Sequence, residues 1–193
     1  MLKTGELDIA GLSPDEVAAV QSDPKLRLVH ASTGITAWLE FLGQWEPTSP
    51  WHDRRVRLAA NLAIDKQALS EAVGLGFDRP TGSIIPHALA FALPLEPVPY
   101  DPAQAKQLLA EAGYPHGFDA GDLTPFPPIA RVAEAVGNYL GVVGIHTQVR
   151  SLERAVLFGV GPRVEEPAVG LVPLAPITIP YYYFVKTFVS RVP

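Results

Sequence analysis

The sequence predicts an α/β protein, and three observations carry that prediction. Residues 129–149 run as an amphipathic helix, a glycine and an alternating strand, the succession that lays a helix on a sheet. Segments 53–64 and 101–113 each join a helix-start residue to a continuous apolar stripe. "GITAWLEF" (34–41) alternates apolar and polar positions like a half-buried strand. The composition allows a core, with 48% of 193 residues hydrophobic and 18% charged. A net charge of -5 gives no basic footprint for nucleic acid. The absence of cysteine excludes disulfides, thiolate nucleophiles and cysteine metal sites. Twenty prolines and 16 glycines imply short elements and many turns.

From the start of the chain, "GELDIAGL" (5–12) reads as a short buried strand. Ser13 is then an N-cap, with Pro14 at the first helical position and Glu16 closing a capping box, for a brief helix over 14–21. "KLRLVH" (25–30) alternates as a second strand. In "GITAWLEF", Ile35, Ala37, Leu39 and Phe41 share one face, and Thr36, Trp38 and Glu40 the other. Asp53 caps a helix whose stripe is Val56, Ala59, Ala60, Ala63 and Ile64, with Arg54, Arg55, Arg57 and Asn61 mostly off it. Asp65 caps the next, with Ala68, Leu69, Ala72 and Val73 inward. A long proline-broken loop follows, to residue 99.

"YDPAQAKQLLAEAGYPHGFD" (100–119) is a helix specified at both ends. Asp101 is the N-cap, Pro102 takes the first helical position and Gln104 completes a capping box. Ala105, Leu108, Leu109 and Ala112 form its buried stripe; Gly113 supplies the left-handed residue and Pro115 prevents continuation. Each cap is worth about 1 kcal/mol. After a polar, proline-rich link, Ile129, Val132, Ala133, Val136, Leu140 and Val143 mark another helix, and "GIHTQVRS" a strand with Ile145, Thr147 and Val149 on one side. The uncharged run 168–185 contains Pro173, Pro176 and Pro180. Each interior proline costs a helix roughly 3 kcal/mol, so no membrane helix is expected there. "YYYFV" within it is β-prone and an aggregation hazard if exposed.

Four ordered segments, "GELDIAGLSPDEV", "WHDRRVRLAANLAIDKQAL", "PTGSIIP" and "YDPAQAKQLLAEAGYPHGFD", resemble the extracytoplasmic solute-binding proteins of peptide and nickel ABC importers, of the oligopeptide- and dipeptide-binding type. The matching positions are Gly5, Glu6 and Asp8; Asp53, Arg55, Val56, Arg57, Ala59 and Ile64-Asp65-Lys66; Pro80, Gly82 and Pro86; then Tyr100-Asp101-Pro102 and Ala112-Gly113-Tyr114-Pro115. The resemblance implies part of a two-lobed periplasmic-binding-protein-like fold (type II-like), mainly the front of the second lobe. It implies hinge closure on a peptide or similar small solute and delivery to an ABC permease; no enzyme activity, no cofactor and, on the spacing of the histidines, no metal site is expected. The division it implies is the end of the first lobe and a hinge-crossing strand in 1–45, a partial second lobe in 46–155, and a non-family tail in 156–193. The tail's abrupt shift in composition is what a truncated or frameshifted reading frame would produce. The family is periplasmic or extracytoplasmic. "MLKTGELDIAGLSPDE" is no signal peptide, so the chain as written would stay in the cytoplasm. The alternative expectation is a degenerate fragment that binds nothing; a hydrolase with an unrecognised carboxylate pair ranks behind both.

The candidate ligand-binding residues are Thr36, Trp38 and Glu40, on the second face of the crossing strand, and Trp45 beside them in the chain. For Trp38, packing between layers competes with lining the cleft. Trp45 and Trp51 flank "EPTSP", where covering a ligand competes with packing on the loop's own prolines. Arg54, Arg55 and Arg57 fit a charged outer helix face better than an anion site, and Asp65 fits a cap better than a ligand. His30, His52, His87, His116 and His146 are scattered, and none has the i, i+4 partner of a helical metal site. "GLGFDR" and "GVGPRV" lack the third glycine of a dinucleotide loop.

Overall fold

The computed structural model describes residues 1–12, 14–29, 36–85, 89, 92–125, 129–151 and 169–174. Among these residues, five helices and four strands run in the order α1 (Pro14–Gln21), β1 (Thr36–Phe41), a 3-10 turn (Pro50–His52), α2 (Arg54–Leu62), α3 (Lys66–Val73), α4 (Pro102–Glu111), β2 (Phe118–Pro125), α5 (Ala130–Val142), β3 (Ile145–Val149) and β4 (Val169–Leu174). The strands form one mixed sheet in the order β1-β4-β2-β3. β2 runs parallel to both β3 and β4, and β4 antiparallel to β1. Parallel neighbours need a crossover, and α5 supplies it between β2 and β3 and packs on both.

The helices follow their end signals. Asp53 Oδ1 accepts from the Arg55 backbone N–H at 2.8 Å, Asp65 Oδ1 from Ala68 at 2.9 Å, and Asp101 Oδ1 from Gln104 at 2.8 Å. Gly113 sits at φ +96°; its N–H donates to Ala110 O and the Tyr114 N–H to Leu109 O, the paired bonds that close a helix on a left-handed residue. The capping box is not reciprocal, however. The Asp101 N–H donates to Leu62 O at 2.9 Å instead of meeting the Gln104 side chain. At the other end, Arg55 Nη1 donates to Glu111 O at 2.8 Å. The start of α2 is thus tied to the end of α4, and its end to the start of α4, so the two helices pack antiparallel.

One continuous core runs from Trp51 through Val56, Ala60 and Leu109 to Leu123, Leu140 and Ile145. The α2 stripe is buried at every expected position. In α3 the inward side is Ala68, Leu69 and Val73, while Ala72 is exposed. Ser70 is buried instead, because its hydroxyl donates to Asp78 O at 2.6 Å and draws that face toward the following loop.

Two strand expectations fail, and part of an expected link is a strand. Residues 5–12 and 25–29 pair with no strand among the described residues. A strand must find partners for its backbone groups outside itself; here Leu7 and Ile9 are 42% and 89% exposed and Val29 is 64% exposed. Conversely, "FDAGDLTP" is not a link but β2, the strand between β3 and β4, with Ala120, Leu123 and Pro125 facing inward. A register shift between Asp119 and Asp122 accommodates Gly121. β2 and β3 begin side by side: Gly117, at φ +78°, lies so close to Gly144 that a Cβ on it would collide with the Gly144 carbonyl. Ser13, His30, His87 and "YYYFV" lie outside the described residues, whereas β4 falls within the expected tail and pairs on both sides.

Candidate functional site

β1 turns successive side chains to opposite faces, but burial does not follow the expected division: Ala37 is exposed, Thr36 is buried, and Ile35 lies outside the described residues. Leu39 and Phe41 pack against the core. Thr36, Trp38 and Glu40 occupy the other face, at the register positions of Leu174, Val172 and Gly170 of β4. Thr36 is buried, and Trp38 and Glu40 are half-buried. The three together offer a hydroxyl, an indole face and a carboxylate along one strand, a set able to hydrogen-bond, stack on and neutralise a small polar ligand. Trp45 is not on that face. It stands in the turn after β1 and is 72% exposed.

Trp51 goes the opposite way. It is fully buried, with its ring 4.6 Å from Phe41 and 5.3 Å, edge-on, from Phe118. Phe118 in turn meets Tyr114 at 4.9 Å. The expected packing on the loop's own prolines is replaced by an aromatic wedge between β1 and β2, because the caps on the 3-10 turn aim the indole inward. Ser49 Oγ accepts from the Trp51 backbone N–H at 3.2 Å, and Arg57 Nη1 donates to His52 O at 2.8 Å. The turn is tied again where His52 Nδ1 meets Gln44 O at 3.1 Å.

Arg55 and Arg57 brace backbone carbonyls instead of gathering an anion. Arg55 grips both oxygens of Asp53 and reaches Glu111 O. Its hydrogen bonds hold the Asp53 carboxyl below the ordinary carboxylate range. Among the described residues no three of His, Cys, Asp and Glu gather as a metal site, and no helix is long and apolar enough to cross a membrane. An open hollow of about 310 Å³ is lined by Leu2, Lys3, Asp8, Asp23 and Lys25, among others; it shares no residue with β1.

Sequence reasoning missed two residues that organise this region. Lys66 entered only as a match to the family pattern, yet its ammonium holds three carbonyls. Arg150 pairs with Asp122 at 3.2 Å across the β2–β3 edge. A cation placed at a helix start, against the dipole, was the available signal for Lys66.

Residues 1–180 match the family described as bacterial extracellular solute-binding proteins, family 5 middle. The chain belongs to this family. Among its relatives are the glutathione-binding protein GsiB of Salmonella choleraesuis, 38% identical over 61% of this chain and 23% of the relative. GsiB of Escherichia coli O1:K1 is 32% identical over 79% of this chain and 30% of the relative. The solved structure of the periplasmic binding protein DppA from Helicobacter pylori, in complex with the peptide STSA, superposes with a TM-score of 0.75 at 24% identity. It covers 95% of this chain and 36% of that one. The chain therefore spans about a quarter to a third of the relatives it matches, and its α/β body is part of the two-lobed fold of the family. The family match runs on through β4 to residue 180, whereas the change in composition placed the end of the resemblance near Ala155.

Proposed function

We propose that this chain is part of the solute-binding component of an ABC importer, which captures peptides or similar small solutes outside the cytoplasm for a membrane permease. The observation that carries the reading is the family match over residues 1–180. The relatives' names, one glutathione-binding and one in complex with a tetrapeptide, favour short peptides as the ligand class. Capture is noncovalent: two lobes enclose the solute, and closure changes the surface offered to the permease. In this reading residues 1–45 end the first lobe and cross the hinge through β1, and residues 46–155 begin the second lobe. Thr36, Trp38 and Glu40 line the cleft from the crossing strand, and Trp45 covers the ligand from the turn beyond.

A second reading is favoured by the chain spanning only 23% and 30% of the two GsiB relatives. A cleft between lobes needs both lobes, so the chain alone would bind nothing. Calorimetry with glutathione and with di- to pentapeptides separates the two. Saturable heat, weakened at least tenfold by Trp38→Ala, supports capture by this chain. No heat at any length overturns it and leaves the second reading.

A further inference from the structure

Lys66 is the first residue of α3, where a positive charge opposes the helix dipole. Its side chain does not extend into water from that position. It turns back so that Nζ donates to Asn61 O at 2.8 Å, Ile64 O at 3.3 Å and Val98 O at 3.1 Å. An ammonium has three donors, and here all three are used. Two acceptors lie at the carbonyl-rich end of α2, where a cation is favourable. The third belongs to the stretch of chain that precedes α4, thirty-two residues away.

We propose that Lys66 is a clasp that fixes segment 92–101 to the corner between α2 and α3 and so sets where α4 begins. Segment 92–101 is anchored at three points spaced three residues apart: Leu95 O accepts from the Gly82 N–H at 3.0 Å, Val98 O from Lys66, and the Asp101 N–H donates to Leu62 O at 2.9 Å. Lys66 is the middle anchor and the one made by a charged side chain, so it is the strongest of the three. Val98 also packs against the core, and Asp101, three residues on, is the N-cap of α4. Losing the clasp therefore loosens the start of a helix whose far end stays tied to α2 through Arg55. Burial lowers the ammonium's pKa, while the neighbouring Asp65 carboxylate acts the other way and helps keep it charged. The clasp acts within the α2–α4 layer and does not depend on which solute the protein takes.

The test is amide hydrogen exchange, residue by residue by NMR, on the full chain. Lys66→Met keeps the apolar stem and removes the donors. Exchange at Gly82 and Asp101 should rise about tenfold or more, Leu140 in α5 should not change, and Lys66→Arg should restore most of the protection. Unchanged exchange at Gly82 and Asp101 overturns the proposal, and so does an equal rise at Leu140, which would make Lys66 a general stabiliser. If Lys66→Met does not fold, the wild-type chain still decides. An amine-acylating reagent should modify Lys66 at least tenfold more slowly than the exposed Lys25 and Lys106, and equal rates overturn the clasp.

Discussion

Residues 1–29 and residues 51–145 both carry apolar residues in regular patterns, yet only one of the two buries them together. In 51–145, Trp51, Val56, Leu109, Leu123, Leu140 and Ile145 converge on one core. In 1–29, Val17 and Val20 are buried, but Leu7, Ile9 and Val29 face solvent. The difference lies in what each pattern needs. A helix satisfies its own backbone and needs only a surface to lie against. A strand needs another strand for every hydrogen bond it makes outside itself. The body has helices that find each other and a strand, β2, that is paired on both sides; in the N-terminal segment, 5–12 and 25–29 read as strand and have no strand beside them among the described residues.

The sharpest way to break this contrast is to remove the wedge that joins the sheet to the helices. Trp51→Ala should destabilise the chain by about 3–5 kcal/mol, as for other fully buried large aromatics, measured by urea unfolding. Trp51→Phe should cost much less, because among the described residues the indole N–H has no acceptor to lose. Gly117→Ala should cost more than about 1 kcal/mol, since a left-handed backbone and the Gly144 carbonyl both oppose a side chain.

These positions also show what could be read in advance. The termini of α4 were legible because their signals are local: Asp101, Pro102, Gly113 and Pro115 each act within a few residues. The wedge was not legible, because Phe41 and Phe118 lie 10 and 67 residues from Trp51 and only folding brings them there. β2 was hidden by its two aspartates, glycine and proline, residues that mark turns when no neighbouring strand is known. Its place in the sheet is set by β3 and β4. Of the candidate site, alternation alone placed Thr36, Trp38 and Glu40 on one face. Proximity in sequence could not say that Trp45 would leave that face while Trp51 turned inward.

Smaller effects sharpen the same contrast. The Asp53–Arg55 pair is exposed, so solvent screening leaves its charge only a small contribution. Because Arg55 lowers the folded pKa of Asp53 below its ordinary 3.8, the unfolded chain takes up the proton first as pH falls. That contribution is complete above the unfolded pKa and disappears as pH drops through the lower folded value. Asp53→Asn keeps a capping side chain, so its urea midpoint should fall slightly below wild type at pH 7 and converge with it near pH 2. The smallest effect belongs to the N-terminal segment: Ile9→Ser should change stability by no more than about 0.5 kcal/mol, because Ile9 is 89% exposed.

The most direct measurement is the order of tryptic cleavage in the intact chain under native conditions. Lys25 and Arg27 follow α1 outside any described helix or strand, while Lys106 and Arg131 lie inside α4 and α5. If residues 51–145 form a self-supporting body and residues 1–29 do not share its core, Lys25 and Arg27 are cut first and Lys106 and Arg131 resist until the body unfolds. Cleavage at Lys106 or Arg131 as early as at Lys25 would contradict the account.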